Sequence, residues 1–390
     1  MSERARAFQQ WFLDREDAFT GYLRSLVEVE TPSDRPDCFE ELFDILKSSF
    51  EELNFRVEHR EGETSAGQLL CLPPDLPPGE PAQLVVGHCD TVWEEGTLGE
   101  MPFRIDGNEI SGPGVYDMKT GLAMMVFGLR AIRELDGTPA LPPVFLITSD
   151  EEVGSGDSRA LIMEQARRAR RTFVLEPSLG IDGRIKTRRK GVGHFEIEIT
   201  GKASHAGLAP EEGVSAILGL SHIVQQLFKL NDQQRGVSVN VGTIEGGERS
   251  NVIAARSRAV VDVRVPNKEE GRRIGEAIYS LEPEIDGVEL VITGDINRPP
   301  MEKGVANEAL WQIACRLGDE LGLDLQEGTS GGASDGNFTN QHSPTLDGLG
   351  AVGEGAHAWH EKIFLEETLC RAALFSLLLL EPETGEGKGA

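Results

Sequence analysis

Two apolar runs that stop abruptly at charged groups constrain this chain more than any other feature. Leu84-Val85-Val86-Gly87 runs into His88-Cys89-Asp90, and Val144-Phe145-Leu146-Ile147-Thr148-Ser149 runs into Asp150-Glu151-Glu152. Both runs are short, continuous and rich in β-branched residues, the pattern of buried parallel strands. A further run, Thr172 to Leu175, delivers Glu176-Pro177 in the same way. Open α/β sheets bind ligands at the carboxyl ends of such strands. An imidazole and several acids are therefore expected at one rim.

His88 and Asp90 are two residues apart, so on an extended segment both side chains point to the same side while Cys89 points to the other. His88 could then bind a metal through one ring nitrogen while Asp90 accepts a hydrogen bond from the other. A purely structural His-Asp pair gives the same spacing, and the two residues alone favour that simpler reading. Gly112-Pro113-Gly114-Val115-Tyr116-Asp117 is a Gly-rich turn into a predicted helix, 120–133. Asp117 stands where a capping carboxylate is common, so capping rivals metal binding there. Asp150, Glu151 and Glu152 weigh the other way, because three adjacent acids at a strand end repel one another unless a cation or a proton intervenes. Together His88, Asp117, Glu151, Glu152 and Glu176 make a mixed nitrogen and oxygen donor set of the kind that suits zinc, manganese or cobalt. Near the C-terminus either His357 or His360 could join them, and spacing does not choose.

Length and charge bound the rest. A chain of 390 residues with 39% hydrophobic content can bury a large core and is long enough for two domains. A formal charge of -27 disfavours nucleic acid and anionic membranes as partners. Two basic clusters, 167–171 and 184–190, read as a solvated helix end and an exposed hinge. Five cysteines without a Cys-x-x-Cys pair suit a reducing compartment, no secretory signal is visible at 1–14, and the apolar run 372–380 is too short to span a bilayer. A cytoplasmic protein is expected.

Along the chain, 3–28 reads as one amphipathic helix, 38–53 as another, and 56–60 and 67–72 as strands, with a Pro-rich connector at 73–81. From 193 to 293 the pattern changes to strand (193–200), helix (213–230), strands (237–244 and 252–265), helix (268–281) and strand (288–293). That order is the ferredoxin-like β-α-β-β-α-β unit. Helices are expected at 307–321 and 365–380, with a short one starting within 331–340. The acidic, Gly-rich stretch 381–390 reads as a disordered tail. Gly331-Gly332 is no phosphate loop, since the required Lys-Ser/Thr is missing.

At this point the chain resembles the dinuclear zinc metallopeptidases that include aminoacylase, acetylornithine and succinyldiaminopimelate deacylases, and the bacterial glutamate carboxypeptidases that cleave folates. The matching segments are Gly87-His88-Cys89-Asp90-Thr91-Val92, Gly112 to Asp117, Ser149-Asp150-Glu151-Glu152-Val153-Gly154-Ser155, Leu175-Glu176-Pro177, Gly201-Lys202-Ala203-Ser204-His205-Ala206-Gly207 and Gly355-Ala356-His357. Ala209 to Val214 and Gly331-Gly332-Ala333-Ser334-Asp335 make the glutamate carboxypeptidase branch the one it resembles most.

The resemblance implies a mixed, mostly parallel α/β sheet with helices on both faces, as in zinc exopeptidases, built from 1–189 and 299–390. The ferredoxin-like unit, 190–298, would be an inserted lid and dimerisation domain. His88 and Glu176 would hold one zinc ion, Glu152 and His357 the other, and Asp117 would bridge them, with cobalt or manganese as substitutes. Glu151 would be the general base and acid, Asp90 the partner of His88, and His205 a donor to the oxyanion in the partner subunit's site. Arg298 would take the substrate's free α-carboxylate, with Asn251, Gly331 and Gly332 near the same group.

Two departures stand out. Met118 replaces a second acid common in relatives, at a peptide bond the family often shows as cis, and Ala358 replaces the usual Ser or Thr, with His360 as an extra imidazole. The expected activity is removal of a C-terminal amino acid, glutamate foremost, by a homodimer. An N-acyl-amino-acid deacylase or dipeptidase with the same centre is the alternative. A non-catalytic binding protein on this fold would be expected to lack the base or a ligand, and neither is lost.

Overall fold

The computed structural model describes residues 2–77, 79–135 and 137–382. It divides into two compact units: residues 1–187, 303–329 and 334–390 in the first, 188–302 and 330–333 in the second.

The first unit is built on a six-stranded mixed sheet. Its strands run, in spatial order, Arg56–Arg60, Gln68–Leu72, Pro143–Thr148, Ala82–His88, Ala169–Val174 and Thr345–Leu346. The two pairings at the Arg56–Arg60 edge are antiparallel and the other three are parallel. Pleating sends alternate residues to opposite faces. Val85, Phe145, Ile147 and Phe173 join the larger apolar core with helices Glu3–Leu13, Glu40–Glu52, Thr120–Glu134 and Leu365–Leu380. Leu84, Val86, Val144 and Leu146 face the other way, onto Ile162 and Ala166 of helix Arg159–Arg168 and onto Phe338. Both faces are covered, which is why these strands read as unbroken apolar runs.

Helix Thr120–Glu134 lies so close to the sheet that a β-carbon at Gly121 would stand 2.3 Å from the Leu175 carbonyl oxygen. Helix Leu365–Leu380 is buried on nearly every side, as a helix apolar all round must be. Among the described residues no helix is long and apolar enough to cross a membrane.

The second unit is a four-stranded antiparallel sheet in the order Ser238–Gly246, Arg256–Val265, Gly191–Thr200, Glu289–Arg298. Helices Ala216–Phe228 and Lys268–Tyr279 complete the ferredoxin-like order. Phe195, Ile197 and Ile199 point into an apolar core shared with both helices, while His194, Glu196 and Glu198 alternate to the other face.

Several expectations need correction. The N-terminal helix is two helices, Glu3–Leu13 and Glu16–Val27, parted at Asp14-Arg15. Glu16 and Asp17 then fall in a first turn, where acids are favoured. The cluster 184–190 is no exposed hinge, for it forms strand Ile185–Arg189 with Lys186, Thr187 and Arg189 buried. In the other cluster Arg167 and Arg168 are exposed, but Arg171 is buried within a strand. Its guanidinium donates to Gln83 Oε1 (3.0 Å), the Glu381 carbonyl (2.6 Å) and the Pro382 carbonyl (3.2 Å). The tail expected from 381 therefore starts with two anchored residues, and its remainder, 383–390, lies outside the described residues.

Candidate metal centre

The rim forms where the parallel strands end. His88 pairs in register with Thr148 of the neighbouring strand, and the Cys89 amide donates to the Thr148 carbonyl at 2.8 Å. On the other side of the same strand, the Leu175 amide donates to Val86 at 3.0 Å and places Glu176 beyond it. Asp117 arrives from the turn before helix Thr120–Glu134, behind Gly114, whose φ of +71° is left-handed. It does not cap that helix, which has no side-chain cap, and the Asp117-Met118 peptide bond is cis. His357, at φ 60°, comes from a turn closed by the Ala358 amide on the Gly355 carbonyl.

The three consecutive acids have separate uses. Asp150 turns away and accepts the Asp157 and Ser158 amides ahead of helix Arg159–Arg168. Glu151 and Glu152 stay at the rim. Asp90, fully buried, joins the two strand ends: its Oδ1 accepts the Glu151 amide (3.2 Å) and its Oδ2 the Glu152 amide (3.1 Å) and the Ser33 hydroxyl (2.8 Å). Its backbone oxygen and Oδ1 lie 3.0 and 3.3 Å from His88 Nδ1. Those two acceptors place the proton on Nδ1 and leave the Nε2 lone pair for the rim.

His88 Nε2 is 3.2 Å from Asp117 Oδ1 and 3.4 Å from Glu176 Oε1. His357 Nε2 is 3.2 Å from Glu152 Oε2 and 3.6 Å from Asp117 Oδ2. The two oxygens of Asp117 thus face two different donor groups. Ligand bonds of about 2.0–2.1 Å in tetrahedral geometry put donors roughly 3.3 Å apart, so both groups fit divalent ions. A buried Glu152 oxygen, Oε1, has no hydrogen-bond partner among the described residues, as expected of an acid whose partner is a metal. Glu151 is near enough to join this set, since one donor atom each from His88, Glu151 and Glu176 lie within 4.8 Å of one another.

Charge makes the same case. Burial opposes a proton on His88, but Asp117, Asp90 and Glu176 outweigh it and hold the imidazolium well above its ordinary range. The hydrogen bond that His357 donates to Glu152 raises the imidazole to about 9 against partial burial, with Asp117 adding to it. Each extra proton stands between carboxylates where a cation would otherwise balance them, and ligation requires its release.

His360, which spacing left open, is exposed and belongs to neither donor group. The remaining expected residues lie in the second unit. His205 is exposed, and its Nδ1 accepts the Gly207 amide at 3.1 Å, so Nε2 carries the proton. The Ala206 amide bonds the Asn251 carbonyl at 3.0 Å, which holds those two loops together. Arg298 is buried, Gly331 and Gly332 are exposed, and Arg189 donates to the Gly332 and Ala333 carbonyls. Arg264 forms a bidentate pair with Asp262, both bonds 2.8 Å.

Three residues near the centre escaped the sequence reading. Lys186 Nζ is 3.6 Å from Glu176 Oε2. Trp93 and Glu361 are joined by a 2.7 Å hydrogen bond beside the Asp117 turn. Only for Glu361 was there a signal, an acid four residues beyond His357.

Comparison with known proteins gives the family. Carboxypeptidase G2 of Pseudomonas sp. (strain RS-16) is 29% identical over 361 residues, covering 88% of this chain and 84% of that protein. Acetylornithine deacetylase of Myxococcus xanthus is 26% identical over 386 residues, covering 93% and 97%. Among solved structures, aminopeptidase PepT of Bacillus cereus ATCC 10987 superposes with a TM-score of 0.76 at 23% identity, over 93% of this chain and 98% of that one, a likeness of fold. The model of peptidase family M20/M25/M40 matches residues 84–381. With all the expected rim residues inside that span, the chain belongs to peptidase family M20/M25/M40.

Proposed function

We propose that this protein is a two-zinc carboxypeptidase that hydrolyses the amide bond to a C-terminal amino acid, glutamate foremost. The observation that carries the reading is the division of the Asp117 carboxylate between His88 and His357, each with its own second carboxylate. His88 and Glu176 would hold one ion, Glu152 and His357 the other, and Asp117 both; cobalt or manganese would suit the same donors. Two cations there would polarise the scissile carbonyl and acidify the attacking water.

Glu151 takes that water's proton and passes it to the leaving nitrogen. It is nearly buried at the rim, and this assignment gives it the proton and not an ion. Asp90 keeps His88 in the Nδ1–H tautomer and fixes the Glu151 and Glu152 backbone. His205, with Nε2–H outward, donates to the oxyanion of the partner copy in a homodimer. Arg298 takes the α-carboxylate through a bidentate pair, and Asn251, Gly331 and Gly332 line the same subsite. In this reading residues 190–298 form the lid and dimerisation domain. Five cysteines without a disulfide among them fit a cytoplasmic setting.

The similarity to carboxypeptidase G2 supports release of a C-terminal residue, and that to acetylornithine deacetylase keeps deacylation of N-acyl amino acids as the second reading. Zinc-loaded protein should be given N-acyl-glutamate, N-acetyl-ornithine and dipeptides side by side. Fastest turnover of N-acyl-glutamate is expected. Preference for N-acetyl-ornithine would replace the carboxypeptidase reading with the deacylase one, and no turnover of any would sink both.

A further inference from the structure

We propose that Glu361 is a positioning residue that sets the second metal position by tying the Asp117 turn to the His357 turn; the inference rests on the two-ion reading above. Glu361 is fully buried. Its Oε1 accepts the Tyr116 amide at 2.8 Å and the Asp117 amide at 3.0 Å, and its Oε2 accepts the Gly114 amide at 3.0 Å and Trp93 Nε1 at 2.7 Å. A carboxylate out of water is tolerated only when its lone pairs are filled, and here four N–H groups fill them.

Three of those donors belong to one turn, the one that ends in Asp117. The other end of Glu361 is held just as closely to His357: its own amide bonds the Ala358 carbonyl at 2.9 Å, and Ala358 bonds back to Gly355 at 2.9 Å. One residue therefore grips the backbone of the bridging acid and closes the turn that directly follows the histidine's own. Asp117 Oδ2 and His357 Nε2, 3.6 Å apart, are brought to their separation through it. His88, 3.2 Å from Asp117 Oδ1, and Glu176, 3.4 Å from His88, are held by the ends of sheet strands, and neither is positioned by Glu361.

The side chain has to be a glutamate. Glutamine would turn an NH2 group toward either Tyr116 and Asp117 or Gly114 and Trp93, donor against donor, and aspartate is one methylene short. The expected consequence is selective: the ion on the His357 side loosens, while the ion on the His88 side changes less.

The test is chelator-buffered titration of the full-length protein with Co²⁺, following the absorption band of each uptake step. His357→Ala marks which step belongs to the second ion. Glu361→Gln should weaken that step tenfold to a hundredfold, the range typical of groups that orient metal ligands. Trp93→Phe removes one donor and leaves the carboxylate in place, so it should weaken the same step several-fold. It carries the test by itself if Glu361→Gln does not fold. Leu317→Ala, a core change in helix Val305–Leu321, supplies a loss of stability unrelated to the centre. Both steps within twofold of the unaltered protein in Glu361→Gln, or in Trp93→Phe where that stands alone, overturn the proposal, as does equal weakening by Leu317→Ala. Failure of the unaltered protein to take up a second ion overturns the two-ion reading together with this one.

Discussion

Replacing Asp90 with asparagine probes the joint between the two strand ends, and its effect can be worked out atom by atom. The amide keeps one oxygen and puts an NH2 in place of the other. With the NH2 on the Oδ1 side, the Glu151 amide and His88 Nδ1–H both lose an acceptor there. With it on the Oδ2 side, Ser33 can turn its hydroxyl to accept, and only the Glu152 amide is left facing a donor. The second orientation is cheaper, and one buried donor without a partner costs about 1–3 kcal/mol. His88 keeps its tautomer in either case, because the Asp90 backbone oxygen still accepts from Nδ1. The loss therefore falls on the position of Glu152 and on the negative charge opposite His88. Converted at 1.4 kcal/mol per tenfold, zinc affinity should fall about 5- to 140-fold. Chelator-buffered zinc titration reads this directly, with thermal unfolding of the metal-free protein alongside. A variant that melts earlier but binds zinc with unchanged affinity would refute the reasoning, because Asp90 would then be only a staple between strands.

Other perturbations separate the remaining roles. Glu151→Ala should retain both ions while kcat falls by about 10²–10⁴, the contribution usual for a positioned general base, and unchanged turnover in the metal-loaded variant would remove Glu151 from that role. His205→Ala should be inactive alone yet regain part of the activity when mixed with Glu151→Ala under verified subunit exchange, since a mixed dimer restores one intact site; no recovery argues against a shared site. Lys119 provides a test of stability against pH. It is buried, donates to the Val29 carbonyl at 2.6 Å, and desolvation lowers its pKa from 10.5 to about 8. Between those values the unfolded chain binds more protons than the folded one, so this group's contribution rises with pH from about 8 to 10.5, by roughly 3 kcal/mol. Denaturant midpoints of the protein should therefore gain on those of Lys119→Met across that window, and a constant difference would show that Lys119 keeps its ordinary pKa.

Much of this could be read from the chain because the strongest signals are local. The runs ending in His88, Ser149 and Leu175 register burial on both faces of a strand, and alternation along 193–200 registers burial on one. Those periodicities survive whatever the strands later pair with, so the mixed sheet and the ferredoxin-like unit were both legible. The rim followed from them, since a charged group directly after a buried strand has few other places to be.

What depended on partners outside a residue's own element was not legible. Spacing could not choose between His357 and His360, because the choice is made by a turn in which His357 takes a left-handed backbone conformation and Glu361 grips the Asp117 loop. The expected donor set left Asp150 out, yet no local pattern parts it from Glu151 and Glu152, which differ in whether they meet the amides ahead of a following helix or the rim. Lys186 and Arg171 looked like solvated charge because a basic cluster has no local sign of burial; Glu176 in one case and the C-terminal carbonyls in the other take them inside. The sequence by itself determined which segments are buried and which acids and imidazoles stand at their ends, since burial is written in the periodicity of each element. Only the tertiary structure decided which of those groups meet, because a contact between two elements leaves no trace in the local pattern of either.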